Sequence, residues 1–146
     1  AEGVIGHEPR IATLVAAALA APSVMAAAAR PHWRELYVGV PLAPGRALEG
    51  YVDLLYRGDV GLVVVDYKTG PAGLDADLDG LVDRYRMQGA AYALAVADAT
   101  GEPVAEVVFV FLTPEGAVER RLPDLSQAVA EVRQLAATDD ERLVTT

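Results

Sequence analysis

The sequence predicts a mixed α/β layer fold with elements in the order helix–strand–strand–strand–helix–strand, closed by a further helix. Three observations carry this. Apolar residues recur at helical spacing early in the chain, at Ile11, Leu14, Val15, Ala18 and Leu19, and again later at Leu81, Tyr85 and Tyr92. Two runs rich in Val, Leu and Tyr, 50–56 and 61–70, flank Arg57-Gly58-Asp59-Val60, the pattern of a β-hairpin. Val104 to Leu112 is an almost unbroken apolar run, as expected of a strand buried on both faces.

Taken in order, a helix over 8–21 is ended by Pro22, and Ser23 is placed to cap a short helix from Val24 to Arg30, closed by Pro31. His32-Trp33-Arg34-Glu35 leads into a first strand, Leu36–Val40, and Pro41 to Arg46 reads as a turn. The hairpin supplies strands two and three. Thr69 to Asp77 is a polar loop containing Gly and Pro, followed by a long helix from Leu78 to about Asp98. Its acidic start, Asp75, Asp77 and Asp79, lacks the glycine and distal glutamate of a calcium loop and reads as a solvated helix start. Thr100 to Pro103 turns into the Val104–Leu112 strand, Gly116 marks another turn, and Val118–Leu122 adds a short edge strand. Pro123 to Ala137 is an amphipathic helix through Leu125, Val129, Val132 and Leu135, and 138–146 is expected to fray. Residues 1–146 therefore read as a single domain.

Composition narrows the functional classes. With 53% hydrophobic and 23% charged residues the chain reads as globular rather than disordered. No apolar run reaches the roughly 18–20 residues of a membrane span, so no membrane partner is expected. The absence of cysteine excludes disulfides and cysteine-ligated metal centres and agrees with a cytoplasmic protein. A net charge of −9 argues against strong autonomous binding to nucleic acid, because phosphate contacts need Lys and Arg. The chain starts without Met, which reads as a piece of something longer.

Chemistry concentrates on the hairpin. A turn centred between Asp59 and Val60 puts Asp53 opposite Asp66 and Tyr51 opposite Lys68, and period-two alternation then sets Asp53, Asp66 and Lys68 on one face. Opposed Cβ atoms lie roughly 4.5–5.5 Å apart, so one divalent cation can bridge both carboxylates. Mg²⁺ prefers hard oxygen ligands, which two carboxylates, a backbone carbonyl such as that of Tyr67, and water would supply. The plain alternative is an edge hairpin with solvated charges, but Leu55, Leu62 and Val64 share the proposed acidic face.

Gly50-x-x-Asp53, then Asp66-Tyr67-Lys68-Thr69, then Tyr85-x-x-Gln88-x-x-x-Tyr92 resembles the RecB-type branch of the PD-(D/E)XK nuclease superfamily. The likeness is to the nuclease domain of UvrD-like helicase–nucleases of the AddA kind. It covers roughly residues 8–115, and His32-Trp33-Arg34-Glu35 and the Gln88–Leu94 run also fit it. The resemblance implies a restriction-endonuclease-like α-β-β-β-α-β core with a mixed central sheet flanked by helices. It implies Asp53 and Asp66 as ligands of Mg²⁺ or Mn²⁺, with the Tyr67 carbonyl, and Lys68 as the catalytic lysine. Gln88 would lie near the active site, and Tyr92 and Tyr85 near DNA or, alternatively, in the core. Glu35 resembles an acidic residue found before the first strand, which would hold a metal-bound water or pair with Arg34 or Arg86. Gly3 to His7 has the Gly-x-x-x-His spacing of the metal-binding histidine, but Pro9 follows at once. His7 then precedes the helix, and the histidine-bearing helix is expected upstream.

The function so implied is a metal-dependent, exonuclease-type deoxyribonuclease acting on single-stranded DNA in recombinational double-strand-break repair. Its partners would be helicase motor domains in the same polypeptide and a second helicase–nuclease subunit. The alternative is a nuclease fold retained as a catalytically weak structural or DNA-channel module.

Overall fold

The computed structural model describes residues 8–43, 46–69 and 77–145. Helices α1 (Glu8–Ala20) and α2 (Pro22–Ala28) open the chain and meet at 69°. They are followed by β1 (His32–Ala43), β2 (Arg46–Arg57) and β3 (Leu62–Thr69), then α3 (Leu78–Thr100), β4 (Val104–Thr113), β5 (Gly116–Arg121) and α4 (Leu125–Thr145). The strands form one mixed sheet in the order β1-β2-β3-β4-β5. Its neighbours are antiparallel except β3 and β4, which run parallel because α3 carries the chain back across the sheet. This is the α/β fold class expected from the sequence, with α2, β5 and α4 added to the core order.

Both faces of the sheet are covered. Leu54, Tyr56, Val63, Val65, Val108 and Val110 pack beneath α1 and α2, whereas Val52, Leu55, Leu62, Val64, Val107 and Phe109 pack against α3 and α4. Every residue from Val107 to Leu112 is buried, as the apolar run in β4 predicts. Gly89 lets α3 approach the sheet: a Cβ there would lie 2.8 Å from Phe109 Cζ and 3.1 Å from Val107 Cγ1. Asp77 caps α3 by accepting from the Gly80 N–H at 3.0 Å, as its acidic start suggests, and Gly101 ends the helix at φ 71°.

Several local expectations are corrected. Ser23 is not an N-cap; Ala21 holds that position without a side-chain bond, and Pro22 begins the helix. Ser23 instead gives its N–H and hydroxyl to the Glu119 carboxylate at 2.7 and 2.8 Å, tying α2 to β5. The first strand starts at His32 and continues through Pro41, so Pro41–Arg46 is not a turn; only 44–45 separate β1 from β2. Pro41 is tolerated because β1 is an edge strand, and the register shifts between Pro41 and Ala43. On α1, Leu14 and Ala18 turn toward the sheet with Ala17, leaving Ile11, Val15 and Leu19 exposed. The backbone of α4 is helical through Thr145, within the stretch expected to fray. The expected 69–77 loop and His7 lie mostly or wholly outside the described residues. Among the described residues no single helix is long and apolar enough to cross a membrane.

Candidate active site

The predicted β2–β3 register is the observed one: Leu54 pairs with Val65, Leu55 with Val64, Tyr56 with Val63 and Arg57 with Leu62. The loop closes through a Gly58 N–H bond to the Gly61 carbonyl at 2.8 Å. The ladder ends at Leu54–Val65, one step before the acids, so Tyr51 is not paired with Lys68.

The reason is a change of face in both β1 and β2 at one level. In β2, Val52 and Leu55 both pack on the α3 side while Leu54 packs on the other, a departure from strict alternation. In β1, Trp33 and Leu36 line the same groove with Leu55, and Glu35 between them has φ 51°. By register Glu35 sits across from Asp53, between the pairs Arg34–Leu54 and Leu36–Val52. A positive φ at a non-glycine residue is an uncommon, strained state. Here it marks the level at which β2 leaves β3 and frees the Asp53 carboxylate, whose Oδ2 accepts the Tyr67 N–H at 2.8 Å.

Asp66 and Lys68 project from β3 on the α3 side, continuing the alternation of Leu62 and Val64. Asp66 is only 6% exposed. Its carboxyl is pushed up from 3.8 to about 6, chiefly by burial and then by its hydrogen bond with Asp53, against the opposing pull of the Lys68 ammonium. Lys68 Nζ lies 3.0 Å from Asp66 Oδ2, an ion-pair distance, but off the line a hydrogen bond needs, so this buried oxygen has no hydrogen-bond partner. The ammonium donates instead to Gln88 Oε1 at 2.6 Å and stands 4.1 Å from the centre of the Tyr85 ring. Gln88 Nε2 donates to the Tyr92 hydroxyl at 3.4 Å, and the Tyr92 ring closes over Gly50, where a Cβ would lie 3.2 Å from it. Tyr85 backs the lysine and leans on Phe109 at 6.3 Å between centroids.

The structure therefore brings together Asp53, Asp66, Lys68, Tyr85, Gln88 and Tyr92. It does not bring in Glu35, which lies within β1 rather than before it and is exposed. Nor does Glu35 pair with Arg86, which is bound to Glu131. Sequence reasoning passed over Arg84. It shares the α3 stripe of Gln88 and Tyr92 at i, i+4, i+8, and its guanidinium lies 5.7 Å from the Tyr85 ring. That spacing was the available signal.

An orphaned buried carboxylate oxygen beside a second carboxylate suits a hard divalent cation, and the donor chemistry fits Mg²⁺ or Mn²⁺. No group of three His, Cys, Asp or Glu side chains able to hold a metal occurs among the described residues, so Asp53 and Asp66 would need backbone and solvent oxygen to complete the shell.

Comparison with known proteins bears on the family and the fold. No curated protein matches the chain. A solved structure from Eubacterium rectale described as a "putative exonuclease" superposes with a TM-score of 0.60 at 16% identity, over 90% of this chain and 50% of that one. A second, SSO0001, gives a TM-score of 0.45 at 18% identity over 77% of this chain and 50% of that one, too distant to bear on the fold. The chain spans half the length of each. A family model described as the PD-(D/E)XK nuclease superfamily matches residues 4–144, and the chain belongs to that superfamily.

Proposed function

We propose that this chain is a metal-dependent nuclease domain that hydrolyses phosphodiester bonds of single-stranded DNA. The observation that carries this reading is the lysine: Lys68 Nζ is held by Gln88, Asp66 and Tyr85, beside the buried Asp66 and half-buried Asp53 carboxylates. An ammonium held in place by three groups is preorganised to stabilise negative charge that develops on a substrate.

Asp53, Asp66 and the Tyr67 carbonyl would hold Mg²⁺ or Mn²⁺, which supplies Lewis acidity toward water and phosphate. Lys68 donates to a phosphate oxygen and stabilises the charge that develops there as a point charge. Gln88 aims the ammonium, and the Tyr67 N–H aims the Asp53 carboxylate. The motif set Gly50–Asp53, Asp66–Lys68 and Tyr85–Gln88–Tyr92 supports a RecB-type domain of a UvrD/AddA-like helicase–nuclease in double-strand-break repair, working in the cytoplasm. A motor in the same polypeptide, with a partner subunit, would bring DNA to a domain of charge −9.

A second reading, a catalytically weak scaffold of the same fold, is favoured by the lack of a third ligating side chain among the described residues. Both are tested by calorimetric titration with Mn²⁺ and by cleavage of a labelled oligonucleotide. The nuclease reading expects metal binding, and cleavage lost in Asp66→Ala and Lys68→Ala with circular dichroism unchanged. No binding at millimolar Mn²⁺ favours the scaffold, and equal cleavage by the variants refutes the site.

A further inference from the structure

Arg84 stands one turn before Gln88 on α3, about 6 Å along the helix axis. Gln88 reaches Lys68 and Tyr92 covers Gly50, so the helix face that carries Arg84, Gln88 and Tyr92 looks into the cleft that opens where β2 leaves β3. Side chains at i and i+1 do not face each other on a helix, yet the Arg84 guanidinium lies over the Tyr85 ring, 5.7 Å from its centre. The same ring carries the Lys68 ammonium at 4.1 Å. The two cations are therefore no further apart than those two distances together, a span within reach of two neighbouring phosphates on one strand.

The two cations differ in what stands against them. Lys68 has Asp66 at 3.0 Å. Arg84 is exposed and makes no ion pair among the described residues, whereas Arg30, Arg57, Arg86, Arg121 and Arg133 each do. The positions three and four residues away on α3 are Gly80, Leu81, Met87 and Gln88, none of them acidic. The acidic start of the helix is engaged elsewhere, Asp77 with the Gly80 N–H and Asp79 with Arg120 at 4.0 Å. A guanidinium beside a second cation, with no described acid of the chain against it, is an open position for an anion.

We propose that Arg84 binds the phosphate next to the one under attack, so that Lys68 and Arg84 meet two successive phosphates of one strand. The proposal rests on the nuclease reading and sharpens its substrate: a polynucleotide with a charged phosphate beside the scissile bond, not an isolated phosphodiester. The planar guanidinium suits that place, because it can give two parallel hydrogen bonds to a phosphate that does not react. Binding there is the same in the ground state and the transition state, so it lowers KM for the polymer and leaves the bond-breaking step alone.

The test uses the full chain with Mn²⁺, an oligothymidylate, and a strand of equal length in which every second phosphate is a neutral methylphosphonate. In the second strand each cleavable phosphate has uncharged neighbours. Wild type should favour the intact strand by about tenfold in KM, at similar kcat per cleavable bond, and Arg84→Ala should take both strands with the weaker KM. Arg84→Lys, which keeps the charge but not the fork, should retain part of the preference. In EDTA, the slope of log affinity for the intact strand against log salt should become shallower by about 0.7 in Arg84→Ala. A preference kept by Arg84→Ala overturns the subsite. So does an equal loss by Arg84→Ala on both strands, which places Arg84 at the reacting phosphate or in the fold. If wild type cleaves both strands without preference, the subsite alone falls; if wild type cleaves neither, the nuclease reading falls with it.

Discussion

Asp66→Asn should make the metal-free protein more stable at alkaline pH. Burial and the neighbouring Asp53 hold the Asp66 carboxyl up from 3.8 to about 6 in the folded chain, with Lys68 offsetting part of the effect. The folded value lies above the unfolded one, so the fold favours the protonated acid. That contribution is fully present below about pH 4 and is lost as the pH rises through about 6. By pH 8 the ionised group has forfeited about 3 kcal/mol. Asparagine keeps the shape and an acceptor but leaves Lys68 without its counter-charge, which takes back part of the gain. The expected net stabilisation is therefore about 1–2 kcal/mol, or about 2–8 °C in Tm for a chain of this size. Urea denaturation in EDTA at pH 8 and pH 5 measures it, and the gap should shrink at pH 5, where wild-type Asp66 is mostly protonated. Millimolar Mn²⁺ should raise wild type but not the variant, because an ion bound only to the folded state stabilises it. A variant no more stable than wild type at pH 8, or a gap independent of pH, would refute the account of Asp66.

Three further outcomes follow from the packing. Gly89→Ala should destabilise the protein by about 1–3 kcal/mol through the clash with Phe109, although alanine in an exposed helix is favoured over glycine by about 1 kcal/mol; the sign of the change in urea midpoint decides. Gln88→Leu removes the acceptor that aims Lys68 and should lower kcat about tenfold or more in a cleavage assay, with Mn²⁺ binding retained. Ser23→Ala should cost about 1 kcal/mol by thermal melting, since it leaves the Glu119 carboxylate one hydrogen bond short.

The hairpin was legible because its signals are local. Alternation and a Gly-Asp turn fix the β2–β3 register without reference to anything distant, and the acids follow from that register. The level at which β2 parts from β3 was not legible. It depends on Glu35 in the neighbouring strand adopting φ 51°, which no pattern in β2 announces. Pro41 misled for a similar reason: proline reads as a turn unless the strand is known to lie at an edge, and edge position is a property of the whole sheet. Ser23 has a capping residue's chemistry, but Glu119, far along the chain, took its hydroxyl. On α3, the Tyr85–Gln88–Tyr92 stripe was readable as a helix face. Its contacts with Lys68 and Gly50 needed the close approach that Gly89 allows.

The two outer strands also bear on how this sheet meets other chains. An open sheet offers a row of unpaired N–H and C=O groups at each border, a template for a foreign strand and so for fibril growth. At the β1 border Pro41 has no N–H to offer, the register slips just after it, and the turn in backbone at Glu35 interrupts the row midway. At the other border β5 is six residues long and carries Glu119, Arg120 and Arg121 in succession. The irregularity that frees the Asp53 carboxylate thus also denies a flat docking edge to a neighbouring copy. A substitution that straightened β1 at Glu35 would cost the protein both its acid pair and its protection against self-association.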